Sequence, residues 1–459
     1  MKNQATRGFR RASALAALAA LGIATALLAA CGGGNNNAPL PAAPTATLTI
    51  NGSTNPFVNT LYNYEAVVTG ATATGLTWAW GDGSANSLGA TVKKVWAKAG
   101  IFTASLTGTA SGVTLTGNKT GSASAVPVAP SYDHTCYLMP DTSVTCKGSN
   151  NNGQLGNGTL IASVTPVAVS GLTGVKAISV GYRHSCALKT DGTVACWGRN
   201  LSGELGNGTG VSSSVPVAVT SVTGAVTVGS GQNHNCVIKT DATMLCWGNN
   251  LLGQLGNGDS SGTNRLTPVA VTGLTNAVQV MAGDNHTCVL KGDASVVCFG
   301  NNSNGQLGNN SLQNSALPVA ASNLTGVAVV GASYNHSCAL KTDGTVWCWG
   351  WNFFGQLGDG SNVDKSVPTA VAGLTGVVAL NATGTFSNCA LKSDASVACW
   401  GYNTTGGLGD GTNTHRNIPV AVTVTGVASV LAIAGHHGQT TCAVKAANEQ
   451  ICWGTPSNN

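Results

Sequence analysis

The sequence predicts an all-β protein that consists mostly of one repeated unit. The chain has 459 residues, of which 62 are glycine and only 8% are charged. That charge content is about a third of the usual ~25%, which disfavours a disordered chain, a coiled coil and an ordinary helical enzyme. Fourteen of the 15 cysteines form seven pairs of identical Cys-x9-Cys spacing, and the pairs recur every 50 to 53 residues. A fixed period of this size is typical of a β-propeller or a solenoid.

The N-terminal segment has the pattern of an export signal. Basic residues up to Arg11 precede an apolar run that ends in Leu28-Ala29-Ala30-Cys31, which predicts a signal peptide over residues 1–30. The ending resembles the bacterial lipobox, and this resemblance implies that Cys31 carries the lipid and becomes the mature N-terminus. Gly32 after the cysteine then implies the outer membrane. A plain signal peptide with an incidental cysteine is the alternative, but the Gly/Asn/Pro-rich segment 31–44 suits the flexible tether of a lipid-anchored domain.

The charge of the exported chain argues against one class of partner. Four of the 21 basic residues lie in the first 30 positions, which hold no acid, so 17 basic residues stand against 16 acidic ones in the remainder. No run of lysine or arginine supplies the clustered cations that phosphate-driven binding requires, and we expect no nucleic-acid partner. Beyond the N-terminus no stretch approaches the ~20 apolar residues of a spanning helix. Contact with the membrane is therefore expected through the lipid on Cys31.

The segment between paired cysteines predicts a β-hairpin. In the second copy, Leu188 and Val194 alternate with polar residues around Asp191-Gly192, whose turn chemistry favours a three-residue loop with a left-handed glycine. In that register Cys186 lies opposite Cys196, within disulfide reach. A metal site would instead need four converging ligands, typically from short Cys-x2–4-Cys pairs. Seven disulfides are therefore expected, which fits an exported, oxidising environment. The pairs are Cys136–Cys146, Cys186–Cys196, Cys236–Cys246, Cys288–Cys298, Cys338–Cys348, Cys389–Cys399 and Cys442–Cys452.

Alignment of the copies with each other recovers a longer unit. It contains the string Leu-Lys-x-Asp-Gly-x-Val-x-Cys-Trp-Gly-x-Asn-x-x-Gly-Gln-Leu-Gly, followed by a variable loop and a Pro-Val strand. The unit resembles the repeat of the regulator of chromosome condensation family, whose members are seven-bladed β-propellers, over residues 122–457. Seven hairpins but six loops of the Gly-Gln-Leu-Gly type are present, with Glu204 in place of glutamine in the second and Gly407 in the sixth, and a partial unit over residues 125–128 precedes the first hairpin. The resemblance therefore implies a ring in which both chain ends complete one blade.

A smaller unit is predicted between the tether and the propeller, over residues 45–121. Alternating strands surround the string Trp78-Ala79-Trp80-Gly81-Asp82-Gly83, and Ala99-Gly100-Ile101-Phe102 follows. Together the two strings resemble the polycystic-kidney-disease-type domain, an immunoglobulin-like β-sandwich. Trp80 and Phe102 stand where that family has phenylalanine and tyrosine. The resemblance implies a spacer or adhesive module outside the cell.

Two sets of repeated polar residues are candidates for chemistry, and a structural role explains each set better. A histidine precedes the first cysteine of five copies by two residues, and equivalent positions on neighbouring blades lie about 10 Å apart, too far to share a metal. We expect these histidines to bond a neighbouring blade and the turn aspartates to accept from nearby backbone N–H groups. No catalytic motif is present, so we predict no enzyme, no metal and no cofactor. The residues are His134, His184, His234, His286 and His336, and Asp141, Asp191, Asp241, Asp293, Asp343 and Asp394.

Binding is expected where the repeated frame is constant but the residue varies. Two positions qualify: the residues just before the repeated histidine, and the loop after Trp-Gly. Aromatic residues and arginine there are typical of protein-interface hot spots, although packing between blades is the alternative for each ring. The candidates are Tyr182, Arg183, Tyr334, Trp351, Phe353, Phe354 and Tyr402.

The leading functional hypothesis is an exported, lipid-anchored, monomeric propeller that binds another protein as an interaction, adhesion or inhibitor-like module. Nucleotide exchange on a nuclear GTPase, the founding activity of the family, is not expected because export removes the chain from such a partner. A closer analogy within the family is the secreted propeller that inhibits β-lactamases through its loop face. The main alternative is a carbohydrate-binding module for envelope glycan. A polysaccharide-processing enzyme is disfavoured because the repeated aspartates do not form a catalytic carboxylate pair.

Overall fold

The computed structural model describes the chain in twelve segments between residues 47 and 454. Within these segments the regular elements are β-strands, and no helix there is long and apolar enough to cross a bilayer. The predicted signal peptide, Cys31 and the tether lie outside the described residues. The described segments are 47–51, 61–69, 72–80, 86–95, 100–110, 113–123, 128–139, 141–381, 386–427, 432–437, 440–444 and 450–454.

The first seven strands form two antiparallel sheets around a shared core. They are β1 (Thr47–Asn51), β2 (Leu61–Thr69), β3 (Ala73–Ala79), β4 (Ser87–Leu88), β5 (Thr91–Val95), β6 (Gly100–Ala110) and β7 (Val113–Ala123). The sheet orders are β1-β2-β5 and β4-β3-β6-β7. Alternation along the strands turns Tyr64, Trp78 and Leu106 inward, where they are buried with Trp80. These two sheets form the β-sandwich that the sequence predicts. Strand β7 ends at Ala123, so the predicted boundary after residue 121 falls inside this strand.

The remaining strands form seven antiparallel sheets, which we call blades one to seven in chain order. Blades one to six have four strands each, and the described part of blade seven has three. They are β8 (Val128–Pro130), β9 (His134–Leu138), β10 (Val144–Gly148) and β11 (Ser163–Ala168) in blade one; β12 (Val175–Val180), β13 (His184–Lys189), β14 (Val194–Gly198) and β15 (Ser213–Ala218) in blade two; β16 (Ala225–Ser230), β17 (His234–Lys239), β18 (Met244–Gly248) and β19 (Arg265–Ala270) in blade three; β20 (Ala277–Ala282), β21 (His286–Lys291), β22 (Val296–Gly300) and β23 (Ser315–Ala320) in blade four; β24 (Val327–Ala332), β25 (His336–Lys341), β26 (Val346–Gly350) and β27 (Lys365–Ala370) in blade five; β28 (Val377–Asn381), β29 (Ser387–Lys392), β30 (Val397–Gly401) and β31 (Arg416–Ala421) in blade six; and β32 (Ala432–His437), β33 (Thr440–Val444) and β34 (Gln450–Gly454) in blade seven.

The blades form a closed ring. The first strand of each blade is its innermost strand and contacts the first strand of the next blade, and β32 of blade seven contacts β8 of blade one. The fold is therefore a seven-bladed β-propeller, as predicted. The expected manner of closure is wrong for the described residues, because Val128 pairs with Tyr137 inside blade one instead of completing blade seven. The physical reason is distance along the chain: only five residues separate Val128 from His134, so this segment forms the inner neighbour of β9.

The central hairpin of each blade has the predicted geometry. Leu188 pairs with Val194 and Cys186 with Cys196 across β13 and β14. The turn is closed by the Lys189 N–H, which donates to the Thr193 carbonyl at 2.9 Å, and Asp191 accepts from the Thr193 N–H at 2.9 Å. All seven cysteine pairs are joined as disulfides in the structure.

A repeated side-chain bridge fastens neighbouring blades. His184 Nε2 lies 2.9 Å from Asn235 Oδ1 of the next blade, and Asn235 Nδ2 donates to the Glu204 carbonyl at 2.7 Å. Trp247 Nε1 donates to the same carbonyl at 2.9 Å. This arrangement confirms the structural interpretation of the histidines. The other inter-blade pairs are His134–Ser185, His234–Thr287, His286–Ser337 and His336–Asn388.

Candidate binding face

Two loops of every complete blade lie on the same face of the ring, which we call the loop face. One precedes the repeated histidine and the other follows the Trp-Gly end of the next strand. The pairing of His184 with Gly198 places both loops at the end of the hairpin opposite its turn. The loops are also bonded directly, because the Trp351 N–H donates to the Asn335 carbonyl at 2.9 Å and the Tyr402 N–H to the Phe386 carbonyl at 3.0 Å. All seven sequence-predicted candidates belong to these loops.

A buried asparagine fixes the conformation of each loop that follows Trp-Gly. In blade five, Asn352 Oδ1 accepts from the Leu357 N–H at 2.8 Å, while Nδ2 donates to the Ser361 carbonyl at 3.0 Å. Gly358 then turns back with a φ of 68°, and its Cα packs so closely on Trp400 that an added Cβ would lie 2.8 Å from the indole Cδ1. Because the backbone is held in this way, the side chains of the variable positions project from a rigid support.

Aromatic rings from blades five and six gather on the loop face. We call them the aromatic cluster, and Trp351 and Phe354 are at its centre. The Phe354 centroid lies 5.5 Å from that of Trp351 and 5.0 Å from that of Tyr402 on the next blade. Phe353 is 65% exposed, whereas Trp351, Phe354 and Tyr402 are half-buried. The members are Tyr334, Trp351, Phe353, Phe354, Phe386, Tyr402 and His415.

The sequence raised two alternatives for these rings, partner binding and packing between blades, and the structure shows packing together with partial exposure. The rings pack against each other across the boundary of blades five and six, so they do contribute to contact between blades. They are nevertheless distinct from the rings that fill the inter-blade core, because Trp349 and Trp400 are fully buried. The aromatic cluster lies above that core and keeps part of its surface in solvent.

Sequence reasoning missed two members of the aromatic cluster, Phe386 and His415. Phe386 directly precedes Ser387, which replaces the repeated histidine in blade six, so a search anchored on that histidine passes over it. His415 Nδ1 accepts from the Asn403 N–H at 3.0 Å, the bond that Asp364 Oδ1 makes to Asn352 in the preceding blade. Comparison of the copies at this position could have identified His415 as the aromatic exception.

Tyr182 and Arg183 lie in a separate group on blades one and two. The Tyr182 and Tyr132 ring centroids are 5.4 Å apart, and the Arg183 guanidinium stands 4.9 Å from the centroid of Tyr182. Arg183 Nε also lies 4.0 Å from an oxygen of Asp133. In the part of the chain that the structure describes, no ring contact joins this group to the aromatic cluster. The seven candidates therefore form two groups on one face.

A chain of contacts near the axis links the two groups. The Tyr182 N–H donates to the Gln232 carbonyl at 3.2 Å, and Gln232 Nε2 donates to Asp284 Oδ2 at 2.9 Å. The Asp284 N–H in turn donates to the Ser333 carbonyl at 3.1 Å, which places it beside Tyr334. Burial raises the pKa of Asp284 to about 8, and burial together with the charge of Asp284 raises the pKa of Tyr334.

Four of the five repeated histidines are held as neutral rings. Burial lowers the pKa of His184 and His336 to about 4 and that of His234 and His286 to about 3. Across the described segments, no three histidine, cysteine, aspartate or glutamate side chains come together as a metal site.

A closed ring of seven antiparallel blades that presents its variable loops on one face is the arrangement of a β-propeller. The sequence profile of the regulator of chromosome condensation (RCC1) repeat matches residues 146–188, 191–238, 241–290, 293–340 and 343–391. A second profile of the same repeat matches residues 175–204, 225–254, 277–306 and 327–356. The first set covers more than half of the chain, and the chain belongs to this family.

Solved structures give the same fold. Prp20p from Saccharomyces cerevisiae, described with its binding to Gsp1p and histones, is 21% identical, with a TM-score of 0.60 over 68% of this chain and 80% of that one. Yeast RCC1 (Prp20) in complex with Kap60 is 20% identical, with a TM-score of 0.59 over 72% and 79%. Human WBSCR16 is 23% identical, with a TM-score of 0.59 over 68% and 84%. No curated protein matches the chain in a sequence comparison.

Proposed function

We propose that the protein is a non-catalytic module of the bacterial cell envelope that holds another protein on its loop face. The aromatic cluster is the observation that supports this proposal most. Its rings project from loops that buried asparagines such as Asn352 hold in place, so little conformational freedom is lost on binding. Only 5% of the residues are aromatic, so a group of partly exposed rings in one place is typical of a binding site.

The fold neighbours support a protein partner by analogy. Prp20p is described with Gsp1p and histones, and yeast RCC1 with Kap60, so propellers of this fold present surfaces for proteins. The analogy concerns the fold alone, and the partner of this chain is set by its own loops. The repeated polar residues support a non-catalytic role, because His184 and Asp191 are engaged in bonds that hold the frame together.

The lipid-anchored location is proposed from the N-terminal sequence. The lipobox-like string that ends in Cys31 supports an anchor, and seven disulfides support an oxidising compartment. Expressed in a Gram-negative host, the chain should incorporate fatty acid and partition with membranes, whereas Cys31→Ala should be released. Equal membrane partitioning of the variant would contradict the anchor.

The binding proposal is tested by removing two rings together. Trp351→Ala with Phe354→Ala should weaken capture of the partner from an envelope extract by several kcal/mol, as truncation of hot-spot residues does. Leu251→Ala is the matched control, because Leu251 is an exposed apolar residue at the same loop position as Phe353, two blades away. If the double variant loses binding only in proportion to unfolded protein, the rings serve packing and the proposal fails.

A glycan is the second candidate ligand, and one observation favours it. The Trp351 and Phe353 ring planes differ by only 10°, with centroids 6.2 Å apart, so they offer two parallel aromatic faces on which sugars could stack. A glycan array read beside the envelope pull-down separates the two proposals. Glycan binding that the double variant abolishes, without any captured protein, would replace the protein proposal with this one.

A further inference from the structure

Asp284 is a buried acid on the loop face, and none of the described residues places a cation beside it. Three other carboxylates whose side chains are at most 6% exposed each lie within 4 Å of a basic group: Glu204 of Arg199, Asp359 of Lys365, and Asp410 of Arg416. Asp284 is 8% exposed, and among the described residues no lysine, arginine or histidine nitrogen lies within that distance. A buried carboxylate without a counter-charge is costly, so its position on the binding face calls for an explanation.

The side chains packed around Asp284 are neutral. On blade three, Gln232 Nε2 donates to Asp284 Oδ2 at 2.9 Å; no described residue donates to Oδ1. On blade five, the Ser333 carbonyl accepts from the Asp284 N–H, and the phenol of Tyr334 is near enough for the charge of Asp284 to raise its pKa. On its own blade, His286 is kept uncharged because burial lowers its pKa to about 3. The described surroundings therefore offer the carboxylate one side-chain amide N–H but no positive charge.

Blades one and two show how the same protein places a cation beside a tyrosine and an acid. The acid there, Asp133, stands one residue before its histidine, whereas Asp284 stands two residues before His286. Tyr182 occupies the position of Tyr334, two residues before the repeated histidine. There Arg183 lies over the Tyr182 ring and beside Asp133, so that one guanidinium contacts both an aromatic face and a carboxylate. At the position of Arg183, blade five has Asn335. An acid and a tyrosine are thus present on blades four and five, with the acid at the position of Tyr132, and no described residue supplies the cation that Arg183 provides on blade two.

We propose that a basic side chain of the partner, lysine or arginine, binds between Asp284 and Tyr334 in the place that Arg183 occupies on blade two. This inference rests on the proposed function and names the chemistry of the partner. The bound cation would lie over the Tyr334 ring and pair with the Asp284 carboxylate. Trp351, whose centroid is 6.3 Å from that of Tyr334, and Phe386, at 5.2 Å, would cover the aliphatic part of the side chain.

Binding of a cation should also be coupled to deprotonation of the Asp284 carboxyl. Because burial raises the pKa of this carboxyl to about 8, it is mostly protonated at pH 7 and must lose its proton to pair with a cation. Affinity for a basic side chain should therefore increase as the pH rises from 6 to 9. The neighbouring Tyr334, whose pKa is raised, and His286 and His234, whose pKa values are lowered to about 3, keep their charge states over that range.

The test titrates the mature full chain with N-acetyl-arginine amide and, in parallel, with its neutral isostere N-acetyl-citrulline amide. Trp351 lies close enough to report binding by its fluorescence, and Trp351→Phe identifies that signal among the ten tryptophans. We expect saturable binding of the arginine probe that tightens towards pH 9 and weakens about tenfold or more in Asp284→Asn, as loss of a charge-assisted contact requires. Asp141→Asn, which removes an acid at a hairpin turn on the opposite end of blade one, should change nothing.

A second variant keeps the inference testable if Asp284→Asn alters the fold. Asn335→Arg should supply the missing cation from within the chain, block the arginine probe and raise the thermal midpoint. Equal binding of the citrulline probe, or unchanged binding in both variants, would overturn the inference. If the arginine probe binds as expected while no protein is captured through the aromatic cluster, the proposed function fails and the cation site stands. If capture succeeds and the probe does not bind, the cation site alone fails.

Discussion

The bridges between blades and the loop face both bury ionisable side chains, but only the bridges give each one the same partner position in every copy. In the bridges, a histidine such as His184 is buried as a neutral ring and meets the same polar position of the next blade each time. On the loop face, Asp284 is buried as an acid with an amide as its side-chain donor. The bridges are repeated because they maintain the ring. Asp284 lies in a loop whose residues differ from copy to copy. A departure from a well-satisfied repeat is therefore the better guide to a binding position than the repeat itself.

Complete reduction of the disulfides should have the largest effect, because it weakens the frame in every blade and leaves the identity of the loop residues unchanged. Each bond closes a loop of about ten residues, so the chain-entropy model gives each somewhat less than the ~3 kcal/mol of a 15-residue loop. Replacing one pair, Cys288→Ala with Cys298→Ala, should be tolerated, whereas full reduction should lower stability in chemical denaturation by many times that amount.

The thiol state can be checked by intact-mass spectrometry after alkylation. None of the fourteen propeller cysteines should react in the native protein. On graded reduction, the Cys442–Cys452 bond should open first, because Cys452 is exposed and the cysteines of the other six bonds are buried. Several alkylated cysteines before any reduction would contradict the pairing.

Acid should destabilise the bridges between blades, with an effect of about 3 kcal/mol for each of four histidines. Their folded-state pKa values, about 4 for His184 and His336 and about 3 for His234 and His286, lie below the ordinary 6.5. Below pH 6.5 the unfolded chain binds protons that the folded chain does not, so stability falls as the pH decreases towards 4. Thermal midpoints from pH 7 to pH 4 measure this loss. His184→Gln should reduce its slope, and a flat profile in the parent protein would contradict the neutral, buried state.

Asp284 should produce a pH dependence of the opposite sign and smaller total size. Its folded-state pKa of about 8 lies above the ordinary 3.8, so between these values the folded chain holds a proton that the unfolded chain has lost. Stability therefore falls as the pH rises towards 8, and Asp284→Asn should stabilise the protein by roughly 2 kcal/mol or more at pH 8 but not at pH 4. The histidines dominate at lower pH and Asp284 at higher pH, and the two effects balance near pH 7, where the stability of the parent protein should be greatest. A variant that stabilises equally at both pH values would show that the carboxyl is not the titrating group.

The repeat made most of the frame predictable, because one copy of the hairpin describes all of them. The pairing of Cys186 with Cys196 followed from the turn residues, and the histidine bridge followed from the spacing between blades. The loop face was less accessible. Phe386 joins the aromatic cluster through a contact that only the ring of blades creates, and the cost of burying Asp284 depends on neighbours from three different blades.

The closing of the ring was also beyond sequence reasoning. Residues 125–128 contain the Pro-Val pair of an outer strand, yet Val128 pairs as an inner strand of blade one. The local sequence favours an outer strand, but the short connection to His134 makes this segment an inner strand of blade one. Where a segment serves at a chain end, tertiary constraints override the repeat pattern.

The smallest predicted effect concerns the hairpin turns, three of which have an alanine at a position that favours glycine. The third turn residue adopts a left-handed conformation in every copy for which it is described, with a φ of 77° at Gly192 but also 61° at Ala242, 63° at Ala294 and 64° at Ala395. A side chain in this region costs about 1–2 kcal/mol, and part of the gain from glycine is offset by about 0.4–1 kcal/mol through the freedom it adds to the unfolded chain. Ala242→Gly should therefore stabilise the protein by up to about 1 kcal/mol, and the same change at Ala294 and Ala395 should add nearly independently because the turns lie on different blades.

Gly192→Ala is the matched reverse variant and should destabilise the protein, since its Cβ would also lie 3.0 Å from the Gly224 Cα. Denaturant midpoints of the triple variant measure the sum. A triple variant less stable than the parent would mean that the alanine methyl groups make contacts worth more than the strain they cause.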